Sequence, residues 1–369
     1  MSMDENQLYY TLALQKTVGV GLILGRRLVE EFGSAQEVFS QKKKDLMKVE
    51  GISDILLKNL EHKKMFDMAE KEVLQIQSNK WYTSCLLEDS YPQLLKECVD
   101  APLVLFSSKP LDWNSSRIIS IVGSRQATAK GVEFCNTLLE ELKEYNPIIV
   151  SGFAYGIDIA AHKAALDNGL QTIGVLGHGL NQVYPSEHLR YVDRMNESGG
   201  LTTEFWSSDS FNKENFIKRN RIIAGLSKAT IVVESAFRGG SLNTVRFAND
   251  YNRDVYAVPG RISDLMSKGC NDLIKTNRAA MLTEAKDIIN GLNWKERPKK
   301  TKVVQPELFL QLSADEQRVY DSFKQTEKAF IETIASECNM AVFKVSSVLL
   351  NLEIKGLVRP LPGNYYECL

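Results

Sequence analysis

The spacing of apolar positions changes character along the chain. Up to about residue 78 they recur at helical spacing between charged residues, as in Gly25–Phe32 and Ile55–Phe66, which predicts amphipathic helices. From about 79 to 295 the pattern turns into short apolar runs rich in β-branched residues: Ile118–Val122, Ile148–Val150, Thr172–Leu176, Leu201–Phe205, Thr230–Val233 and Val255–Val258. Most are near-continuous rather than alternating, which predicts strands covered on both faces. Helical stretches fall between them: Gly131–Lys143, Ile157–Asn168, Glu187–Asn196, Ile217–Leu226 and Leu242–Asn252. Strand and helix in alternation predict an α/β fold with a doubly wound sheet, whose ligands bind outside the carboxyl ends of the strands. A basic, proline-bounded linker at 296–306 closes this segment.

Composition narrows the class without naming a function. The 369 residues hold 45 Lys and Arg against 46 Asp and Glu, a formal charge of −1. That balance excludes a uniformly basic nucleic-acid binder, though not a local basic pocket. No apolar run reaches the ~18–20 residues of a membrane span, so no membrane association is expected. The six cysteines include no CxxC pair and the four histidines no HExxH, so no metal and no cofactor are expected. Scattered thiols fit a reducing cytoplasm.

Glycine and hydroxyl side chains follow the strands. Gly123-Ser124-Arg125 follows the first run, Ser151-Gly152-Phe153-Ala154-Tyr155-Gly156 the second, Gly177-His178-Gly179 the third, and Arg238-Gly239-Gly240-Ser241 through Thr244 the fifth. Glycine there lets backbone approach a ligand, and helix N-termini supply N–H donors, so the set asks for a phosphorylated ligand. Neither GxGxxG nor GxxxxGK[ST] occurs, which disfavours dinucleotides and ATP. Asp158 and His162, four apart, are better explained by helix capping and packing on the sheet than by acid–base chemistry. Near the N-terminus, Val18-Gly19-Val20-Gly21 and Val49-Glu50-Gly51-Ile52-Ser53 each lie between helical patterns, as in helix-hairpin-helix units, the second with Ser53 in place of a glycine.

Charge concentrates between Phe211 and Lys228, where Lys213, Lys218, Arg219, Arg221 and Lys228 face a single acid, Glu214. On a helix, Arg219 falls beside the core-facing pair Ile222 and Ile223, so its stem is expected to be partly buried. Lys218 and Arg221 turn to another side and are expected to be open to a phosphate backbone. Phe211 and Phe216 are expected to stack on bases beside this basic groove.

Six motifs in order carry a family resemblance. They are Gly123-Ser124-Arg125; Ser151-Gly152-x-Ala154-x-Gly156-Ile157-Asp158-x-Ala160-Ala161-His162; Val183-Tyr184-Pro185; Phe216-x-x-Arg219-Asn220-Arg221-Ile222-Ile223-Ala224-Gly225-Leu226-Ser227; Gly240-Ser241-x-x-Thr244; and Val255-x-Ala257-Val258-Pro259-Gly260. The chain closely resembles the DNA-processing protein A family (DprA, also called Smf) over essentially its whole length. The resemblance implies a helical helix-hairpin-helix (SAM-like) domain at 1–78, a Rossmann-like single-stranded-DNA-binding domain at 79–295, and a winged-helix-like domain at 307–369. It implies a non-enzymatic protein that binds single-stranded DNA, dimerises through the Rossmann-like domain and helps load the recombinase RecA in natural transformation. DNA contact is implied for Gly123, Ser124, Arg125, Lys218, Arg219 and Arg221, and for the Gly240, Ser241 and Thr244 loop, with Gly152, Gly156 and Phe216 as neighbours. Tyr155 departs from the family pattern, standing where many members carry arginine. Asn243 and Val245 stand where Ile and Ala are usual.

In the C-terminal part, Ala329–Glu337 and Ala341–Leu352 predict two helices and Val358–Tyr366 a strand pair turning at Pro362-Gly363-Asn364. A winged helix often sends its second helix into a major groove. Six basic against nine acidic residues over 307–369 argue instead for a protein-contact or accessory role. The alternative is a nucleotide-metabolising enzyme resembling the cytokinin-activating phosphoribohydrolases. Those carry PGGxGTxxE, whereas the comparable loop here has no preceding proline and places Arg246 near the position of the acid.

Overall fold

The structure is a computed structural model and describes residues 5–113, 115–294, 312–324, 328–361 and 363–368. The linker expected at 296–306, and Pro362 of the expected turn, lie outside the described residues. The chain forms two compact units, Met1–Lys299 and Lys300–Leu369.

The first unit is built on nine strands: β1 (Tyr82–Cys85), β2 (Val104–Ser107), β3 (Ile118–Val122), β4 (Ile148–Ser151), β5 (Thr172–Val175), β6 (Gly199–Thr203), β7 (Ala229–Val232), β8 (Asp254–Ala257) and β9 (Ala280–Met281). Their order is β1-β2-β6-β5-β4-β3-β7-β8-β9. From β6 to β9 every pairing is parallel, while β1 and β2 add an antiparallel edge. Alternation along β3 shows how the sheet is filled. Ile118 and Val122 pack on one face with Val150, Val175 and Val232, where Ile222, Ile223 and Val245 cover them. Ile119 and Ile121 face the other way, against Leu138, Leu139, Ala161 and Ala165.

Helices Ala129–Leu142 and Ile157–Asp167 thus cover one face, and helices Lys213–Gly225 and Ser241–Asp250 the other. The N-terminal helices join the latter side, with Leu12, Leu14 and Leu28 in the same apolar cluster as Ile222. One expectation for these helices is corrected. The run read as one helix over Ile55–Phe66 is broken, because Asp54–Leu60 ends and Lys64–Asn79 begins after a turn at 61–63. Ser53 replaces the second hairpin glycine because it caps the following helix, accepting from Leu56 N at 3.3 Å.

The second unit packs helices Ala314–Asp321, Ile331–Glu337 and Val342–Ile354 on a three-stranded antiparallel sheet. Its strands are β10 (Lys328–Phe330), β11 (Val358–Leu361) and β12 (Tyr365–Cys368), in the order β10-β12-β11. Ala329 and Phe330, read from sequence as the start of a helix, pair instead with Tyr366 and Tyr365. Among the described residues no helix is long and apolar enough to cross a membrane.

Candidate functional site

Strands are added to one side of β3 as β4, β5 and β6, and to its other side as β7, β8 and β9. The loops leaving β3 and β7 therefore diverge, and a crevice opens at their carboxyl ends. A cleft of about 540 Å³ lies there, lined from one side by Gly123, Ser124, Arg125, Gln126, Ala154 and Asp158. From the other come Phe216, Arg219 and Asn220 of the Lys213–Gly225 helix, then Gly239, Gly240, Ser241, Asn243 and Thr244.

The Ser124-Arg125 loop is held from several sides. Ser124 N donates to Glu234 O at 2.8 Å, Thr128 N to Glu234 Oε2 at 2.9 Å, and Ile157 N to Ser124 O at 3.1 Å. Gly156 has φ of +77°, and a Cβ there would run into the Ser124 carbonyl. The start of the Ile157–Asp167 helix is therefore spent on fixing the Arg125 loop, not on offering N–H groups to an anion. Ser241 likewise lines the cleft but gives its hydroxyl to Ser235 Oγ at 3.0 Å, and Thr244 is buried.

Two guanidinium groups define the charge of the cleft. Arg219 is buried and donates through Nη1 to Val175 O at 2.6 Å. It sits with Asp158 against the open side of Gly152, where a Cβ would strike both side chains. Asp158 accepts from Gly152 N at 3.1 Å. Burial brings the Arg219 pKa down to about 10, with Asp158 opposing the fall and Arg125 adding to it. Burial raises that of Asp158, against the pull of Arg219. On the floor each of these two buried groups therefore opposes the shift that burial imposes on the other. Arg125 is exposed at the mouth, without an ion pair among the described residues, and its guanidinium lies 5.8 Å from the Phe216 ring centroid.

Beside the mouth, Phe216, Phe211 and Tyr184 form an aromatic shelf, with centroid separations of 5.4, 4.9 and 5.6 Å. Phe211 and Tyr184 are nearly half exposed. His178 packs against this group but is buried, and burial lowers its pKa. Tyr155 is exposed and donates its hydroxyl to Glu187 at 2.7 Å.

The structure does not bring Lys218 and Arg221 into this cleft. Both line a second groove of about 580 Å³, together with Lys16, Gly21, Asp100, Glu204 and Asp209. Arg221 is buried, ion-paired with Glu204, and donates to Asp100 O at 2.7 Å. The expectation that Arg221 is open to a phosphate backbone is corrected. The helix turns it towards acids at the end of β6 and before β2, and a carboxylate takes its charge. Lys218 is exposed. Arg238 is exposed and does not line the cleft.

Tyr184 and Met266 belong to the site without having been singled out for it. The Met266 sulfur lies 3.4 Å from Ser124 Oγ, brought there by the loop after β8. Tyr184 sits in the Val183-Tyr184-Pro185 motif, and its partnership with Phe211 depends on tertiary folding alone. His162 packs on the sheet as read, its Nδ1 2.6 Å from Thr172 Oγ1.

The family model for DNA recombination-mediator protein A matches residues 83–293, spanning all of the sheet but Tyr82 and all of the cleft. The chain belongs to this family. A model of the DprA winged helix domain matches residues 306–364. DNA processing protein DprA of Streptococcus pneumoniae is 40% identical over 210 residues, covering 57% of this chain and 74% of the relative. The X-ray structure of the pneumococcal DprA superposes with a TM-score of 0.62 at 30% identity, covering 79% of this chain and 98% of that one. DNA processing protein A of Helicobacter pylori, solved for its unique single-stranded DNA binding mode, gives a TM-score of 0.51 at 26% identity, over 58% of this chain and 96% of that one. At the cleft this family member presents the exposed Arg125, a floor of buried Arg219 and Asp158, and an aromatic shelf.

Proposed function

We propose that the chain binds single-stranded DNA across the cleft between the β3 and β7 loops and, as a homodimer through the Rossmann-like core, delivers it to the recombinase RecA without itself catalysing a reaction. The observation that carries this reading is the pairing of Arg125 with the aromatic shelf: a cation for phosphate stands beside rings open to unstacked bases. A duplex hides its base faces and gains nothing from the shelf. The likeness to the Helicobacter pylori protein, with its single-stranded DNA binding mode, supports the choice of ligand. The family description supports a mediator role in recombination. The buried titratable groups fit a binding protein, since Asp158 is engaged by Gly152 N and Arg219, and His162 is buried against Thr172.

Ser124, Arg125 and the Gly240 backbone are the proposed phosphate contacts, with Phe216, Phe211 and Tyr184 under the bases. Titration with oligo(dT), duplex and nucleotide monophosphates at several salt concentrations tests the reading. The expected result is a preference for the single strand, with log K falling by about 0.7 per neutralised phosphate for each decade of salt. Tight, salt-insensitive binding of a mononucleotide with release of free base would sink it.

A further inference from the structure

The aromatic shelf depends on a turn that the sheet alone does not hold. After β6 ends at Thr203, the chain passes through Trp206–Asp209 before reaching Phe211 and Asn212, whose side chain caps the basic helix by accepting from Glu214 N at 3.0 Å. The N-terminal helices grip that turn. Glu72, 2% exposed on the Lys64–Asn79 helix, accepts from both the backbone N–H and the hydroxyl of Ser207, each at 2.7 Å. Gln15 Oε1 accepts from Trp206 Nε1 at 3.0 Å, and Lys16 pairs with Asp209. From the opposite side Asn181 donates to Ser207 O at 3.0 Å.

A carboxylate is costly to bury unless its oxygens are satisfied, and here both are satisfied by one residue of the loop. Charge-assisted bonds of this kind fix direction as well as distance. We propose that Glu72 is a positioning residue for the strand-binding site: through Ser207 it sets the turn that places Phe211 and the Asn212 cap. The N-terminal helices contribute no residue to the lining of the cleft, yet through this latch they contribute to its affinity. The proposal rests on the single-strand reading above.

The test uses the full chain with Glu72→Ala, Glu72→Gln and Ser207→Ala, titrated with fluorescein-labelled oligo(dT), and hydrogen–deuterium exchange over 204–217. Glu72→Ala is expected to bind about tenfold more weakly and Ser207→Ala about threefold, with Glu72→Gln recovering part of the loss by keeping one acceptor. Faster exchange is expected within 204–217 while β3, β4 and β7 stay protected. Affinities within twofold of wild type overturn the proposal, as does exchange that rises evenly through the sheet. If Glu72→Ala does not fold, Ser207→Ala decides on the same terms. A wild-type chain that fails to bind oligo(dT) overturns the functional reading itself, an outcome distinct from a wild type that binds alongside variants that bind equally well.

Discussion

Arg125 stands exposed over Phe216, whereas Arg221, on the other side of the same helix, is sealed against Glu204 and the Asp100 carbonyl. Their replacement separates binding from stability. Arg125→Glu is expected to weaken oligo(dT) binding by about 10–100-fold, the range of a lost charged contact, with a thermal midpoint close to wild type. Arg221→Met leaves Glu204 buried without its partner, and urea denaturation is expected to show a loss of about 3–5 kcal/mol. His162 supplies a pH signature. Burial holds its folded pKa at about 3, well below the ordinary histidine value near 6.5, with His188 and Arg219 adding to the fall. Between those values the unfolded chain takes up a proton that the folded chain refuses. Stability therefore falls as pH drops below 6.5, by up to about 1.4 kcal/mol per pH unit for one such group. Denaturation midpoints of His162→Gln measured from pH 7 to pH 4 should fall less steeply than those of wild type.

Among the elements, most strands buried on both faces were legible from sequence, although β2 at Val104–Ser107, equally buried, was not read. Runs such as Ile118–Val122 and Thr230–Val233 admit little but a central strand, and β3, β4, β5, β7 and β8 lie within a residue or so of where they were read. Strand β6 starts two residues early, at Gly199-Gly200, because glycine carries no strand signal of its own. Strands β1 and β9 escaped for a related reason: Tyr82–Cys85 is short and mixed, and Ala280–Met281 has two residues. The basic helix begins at Lys213, before its apolar stripe, because Asn212 caps it. Loops were harder to read, since their roles depend on distant partners. Glycine at the strand ends signalled a close approach, yet at Gly156 the approaching group is the Ser124 carbonyl. Gly156→Ala should cost on the order of 1–3 kcal/mol from the left-handed backbone and the clash together. It should also weaken oligo(dT) binding by shifting the Arg125 loop, which parallel melting and titration would show.

At the scale of the molecule, a net charge of −1 gives no hint of the cleft, and of the basic stretch Lys213, Lys218 and Lys228 are exposed outside it while Arg221 is paired with Glu204. The first unit holds its own core and the whole cleft, so a chain ending at Lys299 is expected to bind oligo(dT) within about threefold of the full protein, a difference of about 0.6 kcal/mol. A larger loss would assign the winged-helix unit a share in the strand contact. The reversal of strand order at β3 carries a further consequence, in time rather than in space. The two walls of the cleft meet only when β7 docks beside β3, a pairing that joins Ser120 to Thr230 across 110 residues. Closing so long a loop precedes any reward from the contact it makes. A chain still emerging from synthesis, with β3 to β6 complete, holds Arg125 but neither the Phe216 ring beneath it nor the Gly240 turn. Competence to hold a strand therefore arrives late and abruptly, with the last central strand.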